Sequence, residues 1–200
     1  MEEYGVYEIE NGKDDKKSSF RSDLFEWLEI LVSALILLVI LFTFVFKLVT
    51  IDGESMENTL FDQERVIISN IGYEPKYGDI VVISRNQNNI VTSGGSGPII
   101  KRIIATEGQT VDIDFTEGVV YVDGVALEEP YTKEPTYARS NITFPVTVPE
   151  NCVFVLGDNR NNSTDSRSTL IGEDGMIDCR YILGKVVCRV LPVDKFGSVE

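Results

Sequence analysis

The sequence predicts a mostly β protein: an antiparallel, barrel-like β domain preceded by one N-terminal transmembrane α-helix. Three observations predict it. Residues 30–46, ILVSALILLVILFTFVF, carry no charge. Beyond them, short β-rich runs alternate with Gly, Asp and Asn turn signals. No long amphipathic helical pattern appears outside the first run.

The uncharged run comes first. As a helix it rises about 25 Å at about 1.5 Å per residue. Lys47 can snorkel, so the helix is expected to reach Val49 and about 30 Å, the thickness of the hydrocarbon layer. A buried core helix would show a polar face, and this run shows almost none. A cleaved signal peptide would have a shorter apolar stretch and a small-x-small site after it. The sequence KLVTIDGES that follows has no such site. Lys13, Lys16, Lys17 and Arg21 precede the run, whereas only Lys47 and Arg65 follow closely, which places the N-terminus in the cytoplasm. The expected organisation is a largely disordered cytoplasmic tail at 1–29, an anchor at 30–49 and an extracytoplasmic domain at 50–200. The polar residues 1–22 in particular favour disorder.

In the outer domain the expected strands are Glu64–Ser69, Asp79–Ser84, Ile99–Ala105, Thr110–Phe115, Val119–Val122, Ile142–Val148, Cys152–Leu156 and Gly184–Leu191. Turn chemistry at 77–79, 107–108, 123–124, 149–151 and 157–159 separates them. Many short strands with such turns predict an antiparallel, closed or nearly closed sheet. Residues 86–98 read as a flexible surface loop.

Composition narrows the function. The 200 residues carry 18 Lys+Arg against 32 Asp+Glu, a formal net charge of -14. That balance argues against nucleic acid, which favours a basic footprint. There is no histidine. A Ser-His-Asp triad, a Cys-His pair and the common histidine metal sites are therefore excluded within this chain. Proton transfer near neutral pH must use a carboxylate, a shifted lysine or cysteine, or a partner's residue. Cys152, Cys179 and Cys188 match no metal spacing, and an odd count leaves at least one unpaired within the chain.

Three local features carry candidate chemistry. Ser55 stands in Gly53-Glu54-Ser55-Met56, just past the anchor; a serine beside glycine is ordinarily a turn or cap residue. Lys101 stands in Ile99-Ile100-Lys101-Arg102-Ile103-Ile104. On a strand, Ile99, Lys101 and Ile103 share one face, and Ile100, Arg102 and Ile104 the other. A lysine between isoleucines on a half-buried sheet loses hydration, which disfavours its ammonium form; the plain alternative is a lysine on a solvated edge. Third, residues 157–167 (GDNRNNSTDSR) interleave two acids and two arginines, which can brace a loop through bidentate pairs.

In this order, behind an N-terminal anchor, several blocks resemble the bacterial type I signal peptidases of Gram-positive type, which are membrane-bound serine endopeptidases. The blocks are GESMENTL around Ser55, GDIVVI at 78–83, KRIIATEGQ at 101–109, GDNRNNSTDSR at 157–167 and LPVDKFG at 191–197. The resemblance implies a Ser–Lys dyad, with Ser55 as nucleophile and Lys101 as general base. It implies that Ser163 hydrogen-bonds the lysine, that Asp158, Asp165 and Arg167 brace the site, and that the Ser55 backbone N–H holds the oxyanion. Gly53 stands where some members place a serine hydroxyl donor, so another donor, or a solvated glycine N–H, is expected to compensate. Asn58 replaces the family's proline and leaves the chain after the nucleophile less constrained.

The resemblance further implies substrates that are preproteins with small residues at the first and third positions before the cut. Shallow apolar pockets would be lined by Ile51, Met56, Leu60 and Ile100. No cofactor or metal is implied. The implied partners are preproteins and the lipid bilayer, with a monomeric enzyme in the cell membrane beside the secretion translocon. The short stretch between Phe115 and Glu150 implies that the extra domain of larger members is missing. Two alternatives use the same residues: a weakened pseudo-peptidase or binding module, prompted by Gly53 and Asn58, and a Ser–Lys self-cleaving regulator, which would need a DNA-binding module.

Overall fold

The computed structural model describes residues 14–84 and 97–199. The expected loop at 86–98 thus lies almost wholly outside the described residues, as do the first 13 residues of the tail. The chain divides into two units, Met1–Phe44 and Val45–Glu200.

The first unit is helix α1, Asp14–Phe44. Its stretch Asp23–Thr43, 21 residues, is long and apolar enough to cross a membrane. At about 1.5 Å per residue it rises about 32 Å. Every residue from Asp23 to Thr43 is exposed. Its bounds differ from the expected 30–49 at both ends. The helix begins at Asp14, inside the segment expected to be disordered. It stops at Phe44, and Phe46–Thr50 form strand β1 instead. The reason is tertiary: β1 pairs in register with strand β2 (Arg65–Ser69) from Phe46↔Ser69 to Thr50↔Arg65. Val49 also packs against the core of the second unit. Ladder hydrogen bonds and burial override the apolar run's helical reading.

The second unit contains two antiparallel sheets, so the expected fold class holds. The larger sheet uses β1, β2, β3 (Ile80–Ile83), β4 (Ile99–Thr106), β9 (Cys152–Leu156), β10 (Ile177–Asp178) and β11 (Ile182–Leu191). Their spatial order is β1-β2-β11-β3-β4-β9-β10. The sheet is curled but not closed, because its end strands β1 and β10 do not pair. The smaller sheet uses β5 (Thr110–Asp114), β6 (Val119–Val122), β7 (Val125–Ala126) and β8 (Val146–Thr147), in the order β7-β6-β5-β8. Asp123 and Gly124, with φ of 52° and 79°, make the tight β6–β7 turn that a primed hairpin requires.

β4 runs through the middle of the larger sheet and is buried along nearly its whole length. Ile99 and Ile103 pack with Val81, Ile83, Val153 and Val155. Ile104 packs with Phe154, Leu156 and residues of the smaller sheet such as Val111 and Val120. Ile100 packs with Ile51, Met56 and Leu60. The expected half-buried strand is therefore covered on both faces, because the smaller sheet and the 51–64 loop each cover part of it.

The expected strand Ile142–Val148 shrinks to β8 alone. Pro145 lacks an N–H for the ladder, and Ile142 N donates to Arg167 O (3.1 Å) rather than to a strand. The three thiols are free. Cys152 packs with Phe154 and Leu156, whereas Cys179 packs with Val153 and Val155. Successive residues of β9 face opposite sides, so Cys152 and Cys179 lie across the sheet from one another. Burial pushes both thiols up from their ordinary pKa, which keeps them protonated and unreactive.

Candidate active site

The loop between β1 and β2 carries Ser55. Its base is closed by Ile51 N to Glu64 O (2.8 Å) and Gln63 N to Ile51 O (3.0 Å). Met56 and Leu60 are buried, and Thr59 N and Leu60 N both donate to Met56 O. That turn holds Met56 in the core and leaves the preceding Ser55 partly exposed.

Lys101 enters from the centre of β4 and is only 4% exposed. This removes the solvated-edge reading. Its Nζ donates to Ser55 Oγ at 2.7 Å and to Ile100 O at 2.8 Å. The two candidate dyad residues, 46 positions apart in sequence, are thus in direct contact. They line a cleft of about 720 Å³ together with Ile51, Met56, Ile100 and Ser163. Leu60, expected in the same lining, is fully buried in the core beneath the loop and does not reach the cleft. It anchors the turn instead.

Strand alternation sends Arg102 to the opposite face of β4 from Lys101. There it is 3% exposed and meets Asp158 in a bidentate pair, Nε–Oδ1 2.9 Å and Nη2–Oδ2 2.7 Å. Thr59 Oγ1 donates to the same carboxylate. Asp158 thus ties β4, the nucleophile loop and the 157–167 loop together. Asp165 and Arg167 form a second buried pair, Nε–Oδ1 and Nη2–Oδ2 both at 2.8 Å. Gly157 N donates to Asp165 Oδ2 at 3.1 Å. These pairs brace the loop.

Ser163 departs from expectation. Its Oγ is buried and has no hydrogen-bond partner among the described residues, so the expected bond to Lys101 is not formed. It lines the cleft and lies against Gly157. Gly53 departs too. Its N–H is not a solvated spare donor but gives its hydrogen to Asp62 Oδ1 at 2.9 Å, with Gly53 at φ +95°. That bond holds the exposed Asp62 carboxyl below the usual carboxylate range.

Residues that sequence reasoning left unassigned complete the arrangement. Asn159 N donates to Ser55 O (3.0 Å), and Asn159 Nδ2 to Glu54 O (3.1 Å). Gly157 has no room for a side chain: a Cβ there would lie 2.5 Å from Ser55 O and closer still to Ser163 Oγ. The density of Asp, Asn and Arg after the apolar strand signalled the loop, but it did not say which backbone atom each side chain would hold.

Burial alone would raise the Asp165 pKa. Arg167 and the Gly157 N–H overcome it and hold the carboxyl below the usual range. The folded pKa is depressed, so this carboxylate stabilises the fold above its unfolded pKa of about 3.9. That stabilisation is lost as pH falls through the folded value. Asp165→Asn is therefore expected to flatten the acid limb of Tm against pH, measured by circular dichroism below about pH 4. An acid limb identical to the parent's would refute the assignment.

Residues 24–191 match the family model described as signal peptidase, peptidase S26. The chain is similar to a signal peptidase I of Bacillus licheniformis, 32% identical over 197 residues that cover 94% of this chain and 99% of that one. It is also similar to a signal peptidase IB of Staphylococcus aureus (strain Mu50 / ATCC 700699), 33% identical over 196 residues, 88% of this chain and 94% of the relative. A crystal structure of a signal peptidase I from Enterococcus faecalis V583 aligns with 56% of this chain and 97% of its own, at 28% identity and a TM-score of 0.42.

Proposed function

The chain belongs to the signal peptidase family of the S26 peptidases, serine endopeptidases that remove signal peptides from secreted preproteins, and from that premise we propose a Ser55–Lys101 dyad mechanism. The observation that carries it is the 2.7 Å contact between Lys101 Nζ and Ser55 Oγ in a position almost closed to water. With no histidine in the chain, a lysine must take the base's part.

Neutral Lys101 Nζ takes the Ser55 Oγ proton as Oγ attacks the carbonyl carbon before the scissile bond. The Ser55 backbone N–H donates to the oxyanion. Collapse breaks the C–N bond, and the Lys101 ammonium returns its proton to the departing amine. Water, deprotonated by Lys101, then attacks the Ser55 ester; the acyl C–O bond breaks, Lys101 passes the proton to Ser55 Oγ, and the signal peptide's carboxylate is freed.

Among the described residues, β9 pairs with β4 only from Arg102 to Thr106. The cleft beside Ser55 can accept an extended substrate strand. Ile51, Met56 and Ile100 lie in the same lining and leave shallow apolar room for small side chains. One N-terminal helix long and apolar enough to span a membrane fits an anchored enzyme. Lys13, Lys16, Lys17 and Arg21 ahead of it favour a cytoplasmic N-terminus, with the catalytic domain on the outer face of the cell membrane. There a monomer working beside the translocon would meet cleavage sites as they emerge.

The test incubates the detergent-solubilised full chain, beside Ser55→Ala, with a preprotein carrying an Ala-x-Ala site. The new N-terminus is identified by sequencing. The parent cleaves after the second alanine, and the variant loses at least about 10³-fold in rate. No cleavage by the parent, or parental rates from Ser55→Ala, would end this reading.

A further inference from the structure

Glu129 belongs to none of the sequence blocks that mark the site. It stands in an irregular segment, 127–142, that runs against the 157–167 loop. Lys133 N donates to Asp158 O (3.1 Å), and Tyr137 N and Ala138 N both donate to Asn161 Oδ1 (3.0 and 2.9 Å). Within this segment the Glu129 carboxylate grips Arg160 with both oxygens, Nη2–Oε1 2.6 Å and Nη1–Oε2 2.8 Å.

Arg160 is 1% exposed, so its charge depends on that carboxylate. The same guanidinium donates through Nε to Gly157 O (3.1 Å) and through Nη1 to Thr136 Oγ1 (2.8 Å). Gly157 is the residue whose Cα abuts Ser55 O and Ser163 Oγ. Two residues on, Asn159 N donates to Ser55 O. A path therefore runs from Glu129 through Arg160 to Gly157 O, and along the backbone from Gly157 to Asn159, whose N–H holds the nucleophile's carbonyl.

We propose that Glu129 is a positioning residue for Ser55, fixing Arg160 against Gly157 O and so setting where the 157–163 turn meets the nucleophile loop. The kinetic part of this proposal rests on the dyad reading; the structural part does not. Gln at 129 keeps the shape but removes the charge. A small displacement of reacting groups costs up to about 100-fold in rate.

The experiment compares Glu129→Gln and Glu129→Asp with the parent in the full detergent-solubilised chain. It measures kcat and KM on the preprotein, Tm, and amide hydrogen exchange at Asn159 and, as a remote reference, at Ile68 in β2, which pairs with β1 and β11. The expected result for Glu129→Gln is a kcat lower by about 10-fold or more. KM should stay within about twofold, and Asn159 should exchange faster by about 10-fold or more while Ile68 stays protected. Glu129→Asp should recover part of both losses. Unchanged kcat and unchanged Asn159 exchange would overturn the proposal. So would exchange that accelerates equally at Ile68, because Glu129 would then hold the whole fold rather than the turn. Should the parent itself fail to cleave, the dyad reading falls, and the Asn159 exchange still decides the positioning claim.

Discussion

Lys101→Met is expected to lower kcat/KM for a preprotein by at least about 10³-fold while leaving the protein folded. Lys101 is 4% exposed, and its Nζ contacts the neutral groups Ser55 Oγ and Ile100 O. Methionine is close to lysine in length and apolar, so it fills the same channel between buried isoleucines without leaving a charge there. The loss should therefore fall on kcat, with Tm equal to or above the parent's. Lys101→Arg should not restore activity. A guanidinium with a pKa above about 12 stays protonated and cannot accept the Ser55 proton. A Lys101→Met variant with parental activity, or an Arg variant as active as the parent, would remove lysine from the chemistry.

The two residues proposed for the chemistry are legible in the sequence for different reasons. Lys101 was marked by the apolar residues on both sides of it, and its position on a strand followed from β-branched composition. Ser55 was marked only by resemblance; alone it read as a turn residue. What could not be read was pairing across the chain. The expected bond from Ser163 to Lys101 is absent, and Leu60 lies in the core. Both depend on how a flexible loop settles against a strand, which no local pattern encodes. The end of the anchor was misread for a similar reason. Phe46, Leu48 and Val49 are as apolar as the helix before them, and only the presence of β2, some 20 residues later, makes this stretch a strand. The arginines show the same limit. Arg102, Arg160 and Arg167 are each buried against a carboxylate, Asp158, Glu129 and Asp165 respectively. Composition announced the charges in the 157–167 loop but not that Glu129, in a segment without a motif, would neutralise one of them.

That loop has a backbone position with no tolerance, and it gives the second large effect. Gly157→Ala is expected to reduce kcat by about 10²-fold or more with a modest loss of stability. The added Cβ would lie 2.5 Å from Ser55 O and closer to Ser163 Oγ, well inside ordinary van der Waals contact. Ser55 O belongs to the nucleophile's own backbone, and it also accepts from Asn159 N. It cannot yield without moving Ser55 Oγ relative to Lys101 Nζ. Overpacking of this kind costs about 1–3 kcal/mol, which a folded domain can absorb. The 2.7 Å contact between nucleophile and base cannot absorb the same shift, because a displacement near 1 Å costs about 10²-fold in rate. Gly157 is not in a left-handed conformation, so the penalty comes from packing and not from backbone strain. Stability and chemistry should therefore separate: a small drop in Tm beside a large drop in kcat. Equal activity in Gly157→Ala would mean that the turn and the nucleophile loop can slide past each other, and that the close fit of residues 157–163 against Ser55 is not what sets the dyad.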